Sequence, residues 1–237
     1  MHPLFEFLTQ SFFFTGATDA DAQRFLEHHR RPDTALHCAA VAQEAQRLAE
    51  MAGIDRQQAE QAGWLHDISA VIPGCGHKEA RRLAEMEEIE LQVEQAGRQH
   101  EISEVAPVHG HLAAARALGL EILPEEASAP VLIHQKLSAV MAEQVFGVRE
   151  RQVLDAISCH TTLRAHSTRL DKVLFVADKL AWDQPGEAPF AKDMRASLKI
   201  SLERAVWVYL DYLWQRRQTL PAIHPWMAAA YRELSTL

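Results

Sequence analysis

The stretch GWLHDI, residues 63–68, places a His-Asp pair at the end of an apolar, small-residue helical face. With helical spacing, Ala59 and Ala62 lie on the same face as His66, and Asp67 follows about 100° further round the helix. Small residues on this face allow a neighbouring helix to approach closely. We therefore expect His66 and Asp67 to converge on an ion at the helix end, with the carboxylate able to bridge to a second ion.

Four further ionisable residues occur in separate apolar segments, each at an inward-facing helical position: His37, His134, His160 and Asp178. The order along the chain is H…HD…H…H…D. A lone inward His is usually satisfied by a backbone hydrogen bond, and only its companions indicate a ligand. Buried imidazoles and carboxylates are costly without a partner, and a bound metal is the most economical partner for such a set.

The predicted ligands combine imidazole and carboxylate with no thiolate, which favours Fe, Mn, Zn, Co or Ni over Ca or Mg. The set divides into two groups, with His37, His66, Asp67 and Asp178 for one ion and His134 and His160 for a second, bridged by Asp67. Two ions about 3.5–4 Å apart can activate water and clamp phosphate oxygens. The sequence therefore predicts a metal-dependent phosphohydrolase in which His66 and Asp67 are the catalytic residues and no Ser or Cys nucleophile is needed.

The helical periodicity extends along the chain, and no strand-like alternation is long enough to predict a sheet. We expect an all-α fold in a single domain, residues 1–237, with its core at about 31–182 and C-terminal helices at 191–237. Residues 131–146 and 191–218 each read as one continuous helix.

Residues 75–127 are predicted to be an inserted helical segment that acts as a lid or as a dimer element, so a homodimer is one expected assembly. Four histidines of this region, His77, His100, His109 and His111, offer an alternative as an accessory metal site. Their polar, weakly periodic surroundings are more typical of solvated surface.

Composition limits the partners and the compartment. The net charge of −8 argues against a broad nucleic-acid-binding face, although a local basic pocket for phosphates stays open. No apolar stretch is long enough to span a bilayer. Cys38, Cys75 and Cys159 show no CxxC spacing, which fits a reducing compartment, the cytoplasm. The expected partner is a small molecule rather than a nucleic acid or a membrane.

The motifs that carry a family resemblance are Leu36-His37, WLHD at 64–67, Ile133-His134, AISCHT at 156–161 and KVLFVADK at 172–179. This pattern resembles the HD-domain metal phosphohydrolase superfamily, and its order is similar to that of the YqeK-type branch. The resemblance implies an HD-domain helical bundle and carries all six ligands over one for one. It also implies iron as the metal and a symmetrical bis(5'-nucleosyl)-tetraphosphatase activity, which splits diadenosine tetraphosphate into two ADP.

The chain departs from the branch after Asp178. The branch commonly carries A-D-x-I-E-P-x-R, whereas residues 177–185 read ADKLAWDQP and lack the Arg. Lys179 or Arg195 is expected to replace it. Lys136, Thr161 and Lys179 are predicted to contact the substrate, because each lies beside a predicted ligand.

Two alternatives remain beside the dinucleoside polyphosphatase. One is an HD phosphohydrolase that acts on another nucleotide or phosphate ester. The other is a non-catalytic module that senses nucleotides. The complete set of six ligands favours an enzyme.

Overall fold

The computed structural model describes residues 1–73, 110–183 and 186–236. Every regular element in these residues is helical and none is a strand, which confirms the all-α prediction. The α-helices are α1 Pro3–Thr9, α2 Thr18–His28, α3 Pro32–Ala52, α4 Arg56–Leu65, α5 Gly110–Ala117, α6 Pro124–Ser128, α7 His134–Gln144, α8 Arg151–Cys159, α9 Arg169–Leu180, α10 Ala191–Leu198, α11 Leu202–Gln215 and α12 Pro225–Leu234. Two 3-10 turns, Ile68–Val71 and Pro130–Ile133, follow α4 and precede α7.

Five helices, α3, α4, α7, α8 and α9, form the centre of the bundle, and α11 packs against the outside of α9. Apolar side chains from four of these helices, Leu48, Leu65, Ile157 and Phe175, are fully buried between them. Burial of each such side chain stabilises the fold by about 1.5–3 kcal/mol. This core fixes the helix ends that carry the predicted ligands.

The contact between α3 and α4 depends on small residues. Helix α3 ends at Gly53, whose φ of 65° is left-handed, and Asp55 caps α4 by accepting hydrogen bonds from the amides of Gln57 and Gln58. In the middle of α4, a β-carbon at Gly63 would lie 2.5 Å from the Cα of Ala42. The close helix approach expected from the sequence is therefore confirmed.

Two helix predictions need correction. The helix expected from residue 131 begins at His134, because Pro130 opens a 3-10 turn instead. The single helix expected at 191–218 is two helices, α10 and α11, which are separated at residues 199–201. Ser201 starts α11 by accepting a hydrogen bond from the amide of Arg204, and such a cap favours a new helix over continuation of the old one.

The described part of the predicted insertion, residues 110–127, contains α5 and α6. His77, His100, His109 and Cys75 lie outside the described residues, so the accessory metal site and the extent of the insertion stay predictions. Cys38 and Cys159 are buried free thiols. Within the described ranges, no helix is long and apolar enough to cross a membrane.

Candidate metal centre

The six predicted ligands meet at one end of the bundle, and five of them lie at helix ends. The His66-Asp67 pair directly follows α4, and His160 directly follows α8. His134 opens α7, Asp178 lies in the last turn of α9, and the sixth ligand, from α3, lies in the second turn of its helix. Side chains at helix ends can converge from several helices without opening the core between them.

The first group of donors surrounds the Nε2 atom of His37. This atom lies 3.2 Å from Nε2 of His66 and 3.2 Å from Oδ1 of Asp178. Oδ2 of Asp67 completes the group, 3.6 Å from Nε2 of His66 and 4.0 Å from Nε2 of His37. Two imidazoles and two carboxylates therefore point at a common volume.

The second group consists of His134 and His160, whose Nε2 atoms lie 3.0 Å apart. Oδ1 of Asp67 is 3.3 Å from the first nitrogen and 3.6 Å from the second. Asp67 thus presents Oδ1 to this pair and Oδ2 to the group around His37. A carboxylate placed in this way between two donor groups is positioned to bridge two ions.

Three of the four imidazoles are oriented by nearby backbone, which is their own helix for His66 and His160 and the 3-10 turn before α7 for His134. Each Nδ1 donates to the carbonyl three residues earlier: His66 to Gly63, His134 to Val131 and His160 to Ile157. A carbonyl oxygen only accepts, so Nδ1 carries the proton in each ring. In the neutral form of each ring, the Nε2 atom therefore directs a lone pair at the centre.

This donor set fits a divalent transition-metal ion. Two Nε2 lone pairs that face each other at 3.0 Å repel unless a cation lies between them. Two nitrogen ligands about 2.1 Å from one ion and at right angles to each other would lie about 3.0 Å apart. Imidazole nitrogen mixed with carboxylate oxygen suits such an ion better than calcium or magnesium, which prefer oxygen alone.

Burial and neighbouring charges shift the pKa values of three residues in the first group. Burial disfavours a charged imidazole, but the hydrogen bond to Asp178 and the carboxylates of Asp178, Asp67 and Asp183 outweigh it and raise the pKa of His37 to about 9. Burial lowers the pKa of His66 to about 4, so this ring is neutral. Burial also opposes the ionised form of Asp178, yet Lys179 and His37 hold its pKa well below the usual range.

The two substrate-contact candidates beside the ligands, Thr161 and Lys179, both line the cavity at the centre. Oγ1 of Thr161 lies 3.1 Å from Nε2 of His134. The Lys179 ammonium forms an ion pair with Oδ2 of Asp178 and donates to the carbonyl of His160 at 2.9 Å. In this arrangement Lys179 holds ligand residues of both groups in place.

The third substrate-contact candidate, Lys136, is not brought to the cavity. Its Nζ lies 2.8 Å from the buried carboxylate of Glu126 and 3.1 Å from the carbonyl of Glu121. Lys136 lies two residues after His134, about 200° further round α7, so its side chain leaves the helix on the side away from the predicted ligand. Lys136 belongs to a buried ion pair between α6 and α7.

The cavity has further lining residues that the sequence did not predict. Its volume is about 210 Å³, and Trp182, Asp183, Phe190 and Tyr209 line it together with the predicted ligands. In the sequence, Tyr209 has the spacing of an ordinary packing residue. An aromatic residue on an amphipathic helix looks the same in sequence whether its face meets the core or a cavity.

His111 is also placed differently from its expected position in solvated sequence. It is buried, and its ring lies against that of His134 with the centroids 6.4 Å apart. The spacing of His111, Ala114 and Ala115, all of them buried, is the helical signal that would have identified this inward face.

Comparison with curated proteins links the chain to a small set of bacterial relatives. An uncharacterized protein encoded in the pepC 5' region of Lactococcus lactis subsp. cremoris is 38% identical over 181 residues, 76% of this chain and 74% of that protein. At this identity and coverage the two proteins belong to one family. No protein-family model matches the chain.

Two more distant relatives are named symmetrical bis(5'-nucleosyl)-tetraphosphatases. The Bacillus subtilis protein is 28% identical over 172 residues, 72% of each chain. The Staphylococcus aureus protein is 28% identical over 160 residues, which are 67% of this chain and 63% of that protein.

A crystal structure of a predicted HD superfamily hydrolase involved in NAD metabolism, from Clostridium acetobutylicum, superimposes with a TM-score of 0.69. The match covers 92% of this chain and 96% of that chain at 21% identity, so it establishes the fold. The chain therefore has the fold of an HD superfamily hydrolase. The match confirms the resemblance seen in the sequence. His66 and Asp67 follow the end of α4 and lie next to the other four predicted ligands. These likenesses support the prediction of a hydrolase.

Proposed function

We propose that this HD-superfamily chain is a metal-dependent phosphohydrolase that cleaves dinucleoside polyphosphates symmetrically, converting diadenosine tetraphosphate into two ADP. The observation that carries the proposal is the position of Asp67, whose two oxygens face two separate sets of imidazoles. Such a carboxylate suits a pair of ions better than one. Iron is the proposed metal, and manganese, zinc, cobalt and nickel suit the same donors.

The residues of the centre have distinct proposed roles. His37, His66, Asp67 and Asp178 would hold one ion, and His134, His160 and Asp67 the other. When bound, the ions would supply a nucleophile from water at neutral pH and neutralise phosphate charge. Thr161 lies at the cavity wall, where its hydroxyl can donate to a phosphate oxygen. Lys179 keeps Asp178 ionised and in position.

The names of the Bacillus subtilis and Staphylococcus aureus relatives support the dinucleoside substrate. A nucleotide is also chemically consistent with a cavity that both metal donors and aromatic rings line. A reducing compartment, the cytoplasm, fits the buried free thiols of Cys38 and Cys159.

The deciding experiment is chromatography of the products after iron- or manganese-loaded protein is incubated with diadenosine tetraphosphate. ADP as the sole nucleotide product would support symmetrical cleavage. ATP together with AMP would contradict it, and the absence of any product from protein shown to hold metal would contradict the dinucleoside substrate.

The variant Asp67→Asn ties activity to the centre. It keeps the side-chain volume but removes the charge that faces both donor groups, so we expect kcat to fall by at least about 100-fold. Asp193→Asn is a matched control, because Asp193 is exposed on α10 and lies outside the cavity. Unchanged activity in Asp67→Asn would contradict the assignment of the site.

A second candidate substrate, another nucleotide or phosphate ester, is favoured by one observation. Among the described residues that line the cavity, Lys179 is the only Lys or Arg, and Asp178 and the carbonyl of His160 already bind its ammonium. A tetraphosphate would gain little from protein cations here. Parallel assays with nucleoside mono- and diphosphates would show a higher kcat/KM for those substrates if this candidate is correct.

A further inference from the structure

Trp182 lies at the mouth of the cavity with 40% of its surface exposed. An indole ring is among the largest apolar groups in a protein, and a fold gains stability by burying it. Trp182 instead stays partly in solvent and lines the same cavity as the metal donors. Its position suggests contact with something that enters the cavity.

The indole of Trp182 is held in place by a chain of aromatic rings. Its ring centroid lies 5.7 Å from that of the buried Phe190, with the planes at 87°. Phe190 in turn contacts Tyr209 at 4.7 Å and Tyr212 at 5.2 Å. Edge-to-face contacts of this kind fix ring orientation, so the exposed indole is presented in a defined position.

The cavity is too small to enclose a whole nucleotide, so the base of a bound nucleotide would lie near the Trp182 indole. Its volume, about 210 Å³, is below the range of about 300–1,000 Å³ for pockets that enclose a drug-sized ligand. A nucleotide whose phosphate lies at the donors therefore extends its base to the mouth of the cavity. The Trp182 indole lines the cavity there.

We infer that Trp182, supported by Phe190, forms a nucleobase subsite in which the base of the substrate stacks on the indole. The inference rests on the proposed function, because a nucleotide must bind at the donors for its base to reach Trp182. Stacking also supplies affinity that the protein's cations do not, since Lys179 is already bound by Asp178 and by the carbonyl of His160. It predicts a preference for nucleotides over phosphate compounds that lack a ring.

The test compares AMP with ribose 5-phosphate, which differ in the base alone, by calorimetric titration of the metal-loaded full chain. The intact protein should bind AMP more tightly. Trp182→Ala should weaken AMP binding by about tenfold or more while ribose 5-phosphate changes by less than about twofold. Trp182→Phe, which keeps a flat ring, should retain most of the affinity for AMP.

Trp214→Ala is the matched control, because Trp214 stacks on Tyr231 away from the cavity. It should leave both affinities unchanged. The subsite is overturned if the intact protein binds AMP no more tightly than ribose 5-phosphate, if Trp182→Ala weakens both equally, or if AMP binding is unaffected.

These outcomes are separate from those of the proposed function. Cleavage of diadenosine tetraphosphate with no effect of Trp182→Ala would uphold the function and reject the subsite. Trp182-dependent AMP binding without cleavage of that substrate would do the reverse.

Discussion

Gly63 lies so close to Ala42 that a β-carbon at position 63 would fall 2.5 Å from the Ala42 Cα and 2.7 Å from its nitrogen. Both atoms belong to the α3 backbone and cannot move aside as a flexible side chain can. The Gly63 carbonyl also accepts the Nδ1 proton of His66 at 2.7 Å. One residue therefore sets both the helix contact and the orientation of a predicted ligand.

Gly63→Ala should push α4 away from α3 and lower the free energy of unfolding by about 3 kcal/mol, with weaker metal binding as well. Thermal unfolding and titration with Mn²⁺ measure the two effects. Gly53→Ala serves as the control, because its φ of 65° is strained for Ala but nothing lies near its β-carbon. It should cost about 1–2 kcal/mol without affecting metal affinity. Equal metal affinities in Gly63→Ala and the parent protein would contradict this account.

Metal uptake should strengthen as pH rises. The pKa of His37, raised to about 9, means that an entering ion must displace a proton from this ring at neutral pH. In the ion-free protein the same shift stabilises the fold fully below the unfolded pKa of 6.5, and this stabilisation is lost as pH rises through about 9. Affinity for the ion should therefore rise by about tenfold per pH unit between about pH 6.5 and 9.

Calorimetric titration with Mn²⁺ at several pH values measures this slope. His37→Gln removes the titrating ring and should give a shallower slope together with weaker binding. A pH-independent affinity in the parent protein would show that His37 is not a ligand.

Lys179→Met distinguishes a residue that holds ligands from one that binds phosphate. Loss of the contacts to Asp178 and to the His160 carbonyl should reduce metal affinity by about 10–100-fold. Once the metal is saturating, KM for the nucleotide substrate should be unchanged. A rise in KM at saturating metal would instead show that Lys179 contacts the substrate, as the sequence predicts.

Lys136→Met should destabilise the protein without changing its activity. The variant leaves the buried Glu126 without its ammonium partner, although the Leu123 amide and His224 still contact that carboxylate. We expect a loss of about 3 kcal/mol in denaturant unfolding, as for other broken buried pairs.

Lys172→Met is the control for this change. Lys172 pairs with the partly exposed Glu203, and such a pair contributes less than about 1 kcal/mol. A change in KM for Lys136→Met with unchanged stability would argue for a role at the substrate.

The helical periodicity and the positions of the ligands within it were enough to predict the fold and to select the six residues that converge. His66 and Asp67 adjoin a small-residue face, and Asp178 lies in an apolar run, so each was conspicuous as a costly group in a buried position. These signals are local, and sequence carries local signals well.

The positions of the Lys136 and Tyr209 side chains could not be predicted from the sequence. Two residues on an α-helix differ by about 200° in direction, so Lys136 points away from His134, and the partner it meets, Glu126, comes from α6. For Tyr209, the deciding fact is which neighbour its face meets, and that depends on how α11 packs against α9. Neither partner can be read from the few residues around the side chain concerned.

The backbone anchoring of three imidazoles has a consequence for how the centre forms. Because His66, His134 and His160 are each held by the carbonyl three residues earlier, their Nε2 atoms are oriented as soon as α4, α8 and the turn before α7 have folded. Most of the proposed metal centre would thus be in place before any ion arrives, and the His37 proton would have to leave. An ion whose preferred geometry differs from this centre must distort three helix ends to bind. We therefore expect the rigidity of the helices to favour metals whose preferred geometry matches the proposed centre.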